Sequence, residues 1–344
     1  MFDKLLGNPN IKETLKRLTE TERIPHSALF VGKNGIGKKL YALELAKYFA
    51  CKNPSNFENC GECASCTRAS IFNPPKFDDR DSHKKVIFSE HPDVGMVIPY
   101  RNNILVDSIR DLETQANFRP YEAKARCFII NDAEKLNAAA SNALLKTLEE
   151  PPETTYIFLI TSNPSALLPT ILSRCQMFRF APIRLKIIEE FLFEQKEHSS
   201  ENAKFLSRAS GGSLGEALEI DADWLMEQSK IMLHLLESFA SGSDLLNVLQ
   251  TAEDLNNPKT KEEYEANLRV LQIVINDIWL LRTGNDRDEI VNFPLEENLK
   301  RAAAEVDSET LSKWQSDVDS LREKLRFNLN KKIATDGLFM EMSG

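Results

Sequence analysis

Two short stretches of this chain hold residues whose types and spacing could do chemistry. The first is Cys51, Cys60, Cys63 and Cys66, a C-x8-C-x2-C-x2-C pattern. Four thiolates confined to one short segment can close a tetrahedral Cys₄ zinc site, and with no open coordination position such a site is structural. An iron–sulfur cluster of the ferredoxin pattern needs a further cysteine about three residues on, and position 70 is Ser. His83 and His91 lie downstream and offer imidazoles that could replace a thiol; a loop histidine that is merely solvated is the plainer alternative. Cys127 and Cys175 stand in or beside apolar runs and read as small core residues.

The second stretch is "GKNGIGKK", residues 32–39. Gly32, Gly37 and Lys38 match the phosphate-binding loop G-x-x-x-x-G-K-[ST], in which backbone N–H groups cradle phosphates and the lysine reaches the β and γ oxygens. Gly32, Asn34, Gly35, Gly37, Lys38 and Lys39 are therefore the candidate nucleotide-contacting residues. Lys39 stands where the Mg²⁺-binding hydroxyl belongs, and an ammonium has no lone pair to give a metal. The loop is thus degenerate, with room for ATP or ADP but not for Mg²⁺ at the ordinary position.

These residues need elements to hold them. "HSALFVG" (26–32) reads as a short apolar strand, and "KKLYALELAKYFAC" (38–51) has helical spacing of Leu40, Leu43, Leu45, Ala46 and Phe49. Strand, glycine loop and helix are the context a phosphate loop requires. "RCFIINDA" (126–133) and "TYIFLITSN" (155–163) read as buried strands, and "AAASNALLKTLEEPP" (138–152) as a helix stopped by Pro151 and Pro152. Residues 166–183 give a helix, a turn and a last strand. Alternating strands and helices imply an α/β domain with a parallel sheet covered on both faces. After Pro182 the pattern turns helical, punctuated by Ser199-Ser200 and Gly211-Gly212. "LRVLQIVINDIWLLR" (268–282) is apolar nearly all round and should be buried.

A length of 344 residues suits two or three domains. The net charge of −9 argues against a surface that broadly coats nucleic acid. "MFDKLLGNPNIKETLKRL" has no apolar signal-peptide core, and the most apolar run, 270–281, is too short to span a bilayer and contains Asp277. With four of six cysteines in one cluster, a reducing, cytoplasmic setting is expected.

Taken together, "HSALFVGKNGIGKK", the cysteine insertion, "HPDV" (91–94), "ILVDSIRDL" (104–112), "NALLKTLEEPP" (142–152) and "LLPTILSRC" (167–175) resemble one family. It is the delta-prime family of bacterial DNA polymerase III clamp-loader subunits, within the AAA+ superfamily. The likeness covers most of residues 1–220. It implies a nucleotide-fold domain over 1–182 with a zinc knuckle at 51–66, a helical lid over 183–222, and an all-helical collar domain over 223–344 that carries oligomerisation. It also implies a hetero-pentameric ring with motor subunits and a clamp-opening subunit, acting on a sliding clamp and primer–template DNA. Nucleotide polymerisation would belong to another subunit of that assembly.

Departures from the family pattern define the expected role. Motor subunits carry Thr after the loop lysine and end the acidic strand in Asp-Glu; here Lys39 and Asn131-Asp132 stand in those places. If the alignment slips by one, Asp132 is the metal carboxylate and Ala133 leaves no base. Motor subunits also place arginine after "GSL", where this chain has Gly215. The resemblance therefore implies a non-hydrolysing, stator-like subunit. By the same likeness Arg174, in "SRC", is an arginine finger serving a neighbour's γ-phosphate in trans. From position alone it is equally a surface arginine paired with Asp or Glu. Two other classes compete: an active tau/gamma-like ATPase of the same loader, and a zinc-dependent nucleic-acid-binding module with a vestigial loop. The second sits poorly with "NCGECASC" (59–66), which holds no Lys or Arg.

Overall fold

The computed structural model describes residues 1–241, 261–284, 289–324 and 330–342. They fall into two compact units, one formed by 1–187 with 212–216 and the other by 188–211 with 217–344.

The first unit is built on six strands: β1 (Ser27–Val31), β2 (Ile87–Phe88), β3 (Val94–Val97), β4 (Arg126–Ile130), β5 (Thr155–Thr161) and β6 (Gln176–Arg179), in the order β2-β3-β4-β5-β1-β6. The expected parallel sheet spans β3 to β6. One edge strand is added in the opposite sense, since β2 runs antiparallel to β3. The connection between those two strands is far shorter than the dozen or so residues of a parallel crossover, so only an antiparallel return can form.

Strand side chains alternate between two cores. Ala28, Phe30, Cys127, Ile129, Phe158 and Ile160 face the helices α1 (Pro9–Glu20) and α2 (Lys38–Ala50), where Leu15, Tyr41, Leu45 and Phe49 are buried. Leu29, Val31, Phe128, Ile130, Ile157 and Leu159 face the other way. There they meet Ile109 and Leu112 of α4 (Val106–Ala116), Leu144 and Leu148 of α5 (Ala138–Glu149), and Ile171 of α6 (Pro169–Leu172). A short helix α3 (Ala64–Arg68) lies within the cysteine segment. Each large side chain so buried contributes about 1.5–3 kcal/mol. α5 starts at Asn137, whose side chain accepts from the Ala140 N–H at 2.9 Å, and stops before Pro151-Pro152 as the sequence dictates.

The second unit is helical throughout its described residues. It contains α7 (Leu185–Lys196) from residue 188, α8 (Ser200–Ala209) and α10 (Ala222–Ser241); the short α9 (Leu214–Glu219) straddles the boundary. Further helices run over Lys261–Thr283, Glu296–Glu305, Ser308–Lys324 and Lys331–Met342. Within Lys261–Thr283, Leu268, Leu271, Val274, Ile275 and Ile278 are buried against Leu236, Leu299 and Trp314, which is the burial its all-round apolar sequence requires. One acid sits in this core. Asp277 is fully buried and accepts from the N–H groups of Val291 (2.9 Å) and Asn292 (2.8 Å) and from the Asn292 amide (2.8 Å). Among the described residues no helix is long and apolar enough to cross a membrane.

Candidate functional site

The loop after β1 leads into α2 through Gly37, whose φ of +95° favours glycine even though the space around it is open. Lys38 opens α2, as the phosphate-loop pattern requires, and its ammonium lies against the loop. It donates to the carbonyls of Gly32 (2.6 Å) and Lys33 (2.7 Å) and is buried. Burial lowers its pKa, opposed by the nearby charges of Glu134 and Asp132. Lys39 is exposed, with Asp132 as a compensating charge in its surroundings.

Asn131 and Asp132 lie at the carboxyl end of β4. Asn131 donates its backbone N–H to Val97 O at 3.0 Å, and Asp132 adopts a left-handed φ of +50° before a 3-10 turn over Ala133–Lys135. Sequence reasoning passed over Glu134 in that turn. One of its carboxylate oxygens accepts from Ser162 N–H (3.2 Å) and Oγ (2.6 Å), at the end of β5, while the other is buried without a partner. Burial pushes its pKa up, but hydrogen bonds from Ser162, its own backbone and Thr161 together hold it below the usual value. The acids that the fold brings toward Lys38 are Asp132 and Glu134.

Residues 212–216 close over the same loop. Ser213, fully buried, donates its hydroxyl to Asn34 O at 2.8 Å; Gly215 N–H donates to Gly35 O at 2.9 Å; and Lys33 pairs with Glu216 at 3.0 Å. The approach is close enough that a Cβ on Gly35 would lie 2.2 Å from Ser213 Oγ. A Cβ on Gly215 would lie 2.8 Å from the Gly35 Cα. The position where the resembled motors carry arginine therefore has no room for any side chain in this arrangement.

Cys51 caps the C-terminal end of α2, Cys60 lies in the following loop, and Cys63 and Cys66 bracket the first turn of α3. Their four sulfur atoms all lie within 4.8 Å of one another, with Cys51–Cys60 at 3.5 Å and Cys60–Cys66 at 4.0 Å. Sulfurs around a tetrahedral zinc at about 2.3 Å stand roughly 3.8 Å apart, so this donor set fits that ion. The backbone N–H groups of Cys60 and Cys63 point at the sulfurs of Cys51 (3.3 Å) and Cys60 (3.4 Å), an arrangement that favours thiolates. The histidines are engaged elsewhere. His83 packs edge-on against Tyr100, and the buried His91 accepts at Nδ1 from Asp93 N–H at 3.2 Å. Cys127 and Cys175 are both buried.

"HPDV" proves architectural in this unit. The fully buried Asp93 carboxylate accepts from the backbone N–H groups of Tyr121 (2.8 Å), Glu122 (2.9 Å) and Ala123 (2.9 Å), and stands 3.6 Å from the buried Arg126. Glu122 in turn pairs with Arg68 of α3 at 2.8 Å, which ties the cysteine segment to this loop.

Arg174 lies two residues beyond α6. Its guanidinium bonds Thr170 O at 2.8 Å and Glu149, the last residue of α5, at 2.5 Å. The Arg174 side chain is 32% exposed. Position alone left open an exposed arginine paired with an acid, and that pairing is present here.

A family model described as "DNA polymerase III, delta subunit" matches residues 7–184, more than half of the chain. The DNA polymerase III subunit delta' of Bacillus subtilis is 29% identical over 94% of this chain and 92% of its own length. That of Escherichia coli K12 is 30% identical over 57% of this chain and 54% of its length. Subunit tau of Bacillus subtilis is 31% identical over 64% of this chain, but the match spans only 37% of tau. Among solved structures, a gamma-subunit-related protein of Thermotoga maritima aligns over 96% of this chain and 98% of its own, at 22% identity and a TM-score of 0.41.

Proposed function

This chain belongs to the DNA polymerase III delta-subunit family, among the AAA+ clamp-loader proteins, and on that premise we propose that it is a non-hydrolysing subunit of the bacterial replicative clamp loader. In this reading it sits in the hetero-pentameric ring beside motor subunits and the clamp-opening subunit, helps place the sliding clamp on primer–template DNA in the cytoplasm, and supplies Arg174 to a neighbour's nucleotide. Residues 183–222 serve as its lid and 223–344 as its collar. A structural zinc ion completes the knuckle at Cys51, Cys60, Cys63 and Cys66.

The observation that carries the reading is the closure of 212–216 on the phosphate loop. Gly215 N–H bonds Gly35 O, and the approach leaves no room for the arginine that motor subunits carry at that place. Phosphoryl transfer relies on Mg²⁺ charge and a positioned water, and Lys39 and Asn131 offer neither a metal-binding hydroxyl nor a metal-binding carboxylate. The similarity to tau favours the rival reading of an active motor. One pair of assays separates the two. The purified chain should release no phosphate from ATP above a Lys38→Ala control, yet should raise the DNA-stimulated ATPase of loader motor subunits when assembled with them. Steady-state hydrolysis by the isolated chain that Lys38→Ala abolishes would establish the motor.

A further inference from the structure

We propose that Glu149 is the resting counter-anion of Arg174, a positioning residue that makes the finger's engagement depend on a competing triphosphate. The inference rests on the reading of Arg174 as a finger.

Three observations carry it. First, the guanidinium is held on two sides: Nη2 by Glu149 Oε1 at 2.5 Å and Nη1 by Thr170 O at 2.8 Å. The Thr170 carbonyl lies in the four-residue α6, where main-chain acceptors have few N–H partners. Both contacts hold the Arg174 guanidinium against its own α5 and α6 in this arrangement. Second, Glu149 occupies the last turn of α5, the end of a helix where the macrodipole disfavours an anion. Helix stability gives no reason for a carboxylate there, whereas a partner arginine does. Pro151 and Pro152 stop the helix just beyond, which places the carboxylate at the end of α5 beside Arg174. Third, the pair is accessible, with side chains 32% and 47% exposed. Exposed pairs are weak, so a ligand of higher charge can displace one member.

The exchange follows from charge. Glu149 offers one negative charge, shared with water. The γ-phosphate of a neighbour's triphosphate offers more charge and a fork of oxygens that matches guanidinium bidentately. Arg174 leaves Glu149 for that group and returns to Glu149 once the γ-phosphate is gone. Glu149 thus competes with the triphosphate for one cation, raising the concentration of ATP needed to engage it without entering the chemical step.

The test uses the assembled loader carrying the wild-type chain, Glu149→Gln, Glu149→Asp, Arg174→Ala, or Arg174→Ala with Glu149→Gln. ATP turnover is measured across a range of ATP concentrations. Glu149→Gln should lower KM about two- to fivefold, the worth of an exposed ion pair, with kcat within a factor of two. Glu149→Asp should restore a KM closer to wild type, and the double variant should behave as Arg174→Ala alone. If Arg174→Ala slows turnover while Glu149→Gln leaves KM unchanged, the counter-anion role is overturned and the finger reading stands. A Glu149→Gln variant that loses kcat as Arg174→Ala does would equally overturn it, since Glu149 would then act in the engaged state. If Arg174→Ala itself has no effect, the finger reading fails and this inference with it. Melting of the isolated Glu149→Gln chain within about 2 °C of wild type would exclude a folding defect as the source of any change.

Discussion

Gly215 and Gly35 meet backbone to backbone, residues 180 positions apart joined by one N–H···O bond of 2.9 Å. That contact exists only because neither residue carries a side chain. Glycine at 215 therefore has a packing reason of its own. A residue without a side chain is the condition for the turn to settle on the loop.

Restoring the arginine should therefore disrupt rather than repair. Gly215→Arg is expected to lower stability by about 1–3 kcal/mol, the usual cost of forcing atoms into a packed contact. Amide exchange over 33–38 should quicken in the same variant. A Gly215→Arg chain with unchanged melting temperature and unchanged exchange would refute the close packing.

The cysteine cluster should hold one equivalent of Zn²⁺ in protein purified under reducing, chelator-free conditions. Metal analysis finding less than half an equivalent would count against it. Cys63→Ser should release the metal and loosen residues 51–69, seen as faster proteolysis there. The sheet should persist, because its two cores contain none of the four ligands.

Asp277 should give stability a recognisable pH signature. Burial raises its carboxyl to about 6, against the hydrogen bonds from Asn292 and Val291 that pull it down, whereas the unfolded value is about 3.9. The folded chain binds this proton more tightly, so the contribution is full below about pH 4 and is lost as pH rises through about 6. Relative to Asp277→Asn, wild-type stability should fall by about 2–3 kcal/mol across that window. Urea midpoints of the two proteins at pH 4, 5, 6 and 7 provide the check, and a constant difference would contradict it.

Arg174→Lys should recover little of whatever Arg174→Ala costs the assembled loader, because a point charge lacks the bidentate fork. Turnover restored to near wild type by lysine would argue for simple charge complementarity.

What the sequence made legible depended on range. The β1–loop–α2 unit could be read because its signals, apolar run, glycines and helical spacing, lie within twenty-five residues. The cysteine cluster was equally plain, since short spacing alone confines four ligands. Strands β4 and β5 announced themselves as continuous apolar runs. β3 did not: four residues interrupted by Gly95 carry too little pattern, and their strand character comes from pairing with β4. Glu134 was hidden because its role is set by Ser162 across the sheet end, and Glu149 because its partner lies on another helix. The closure of 212–216 on the phosphate loop was the least accessible. "GSLG" reads as a missing arginine, and only the fold shows Ser213 and Gly215 bonded to Asn34 and Gly35.

The interleaving of the two units has a consequence for synthesis of the chain. On the ribosome, all six strands have been made once Arg179 emerges, so the sheet can form early. The turn that pins its phosphate loop comes later, after residues 188–211, which belong to the other unit. For that interval the nascent sheet carries an open, glycine-rich loop with Lys38 at its end. The last segment needed to complete the first unit is therefore a return: five residues, 212–216, reach its loop only after 188–211 of the other unit have been made.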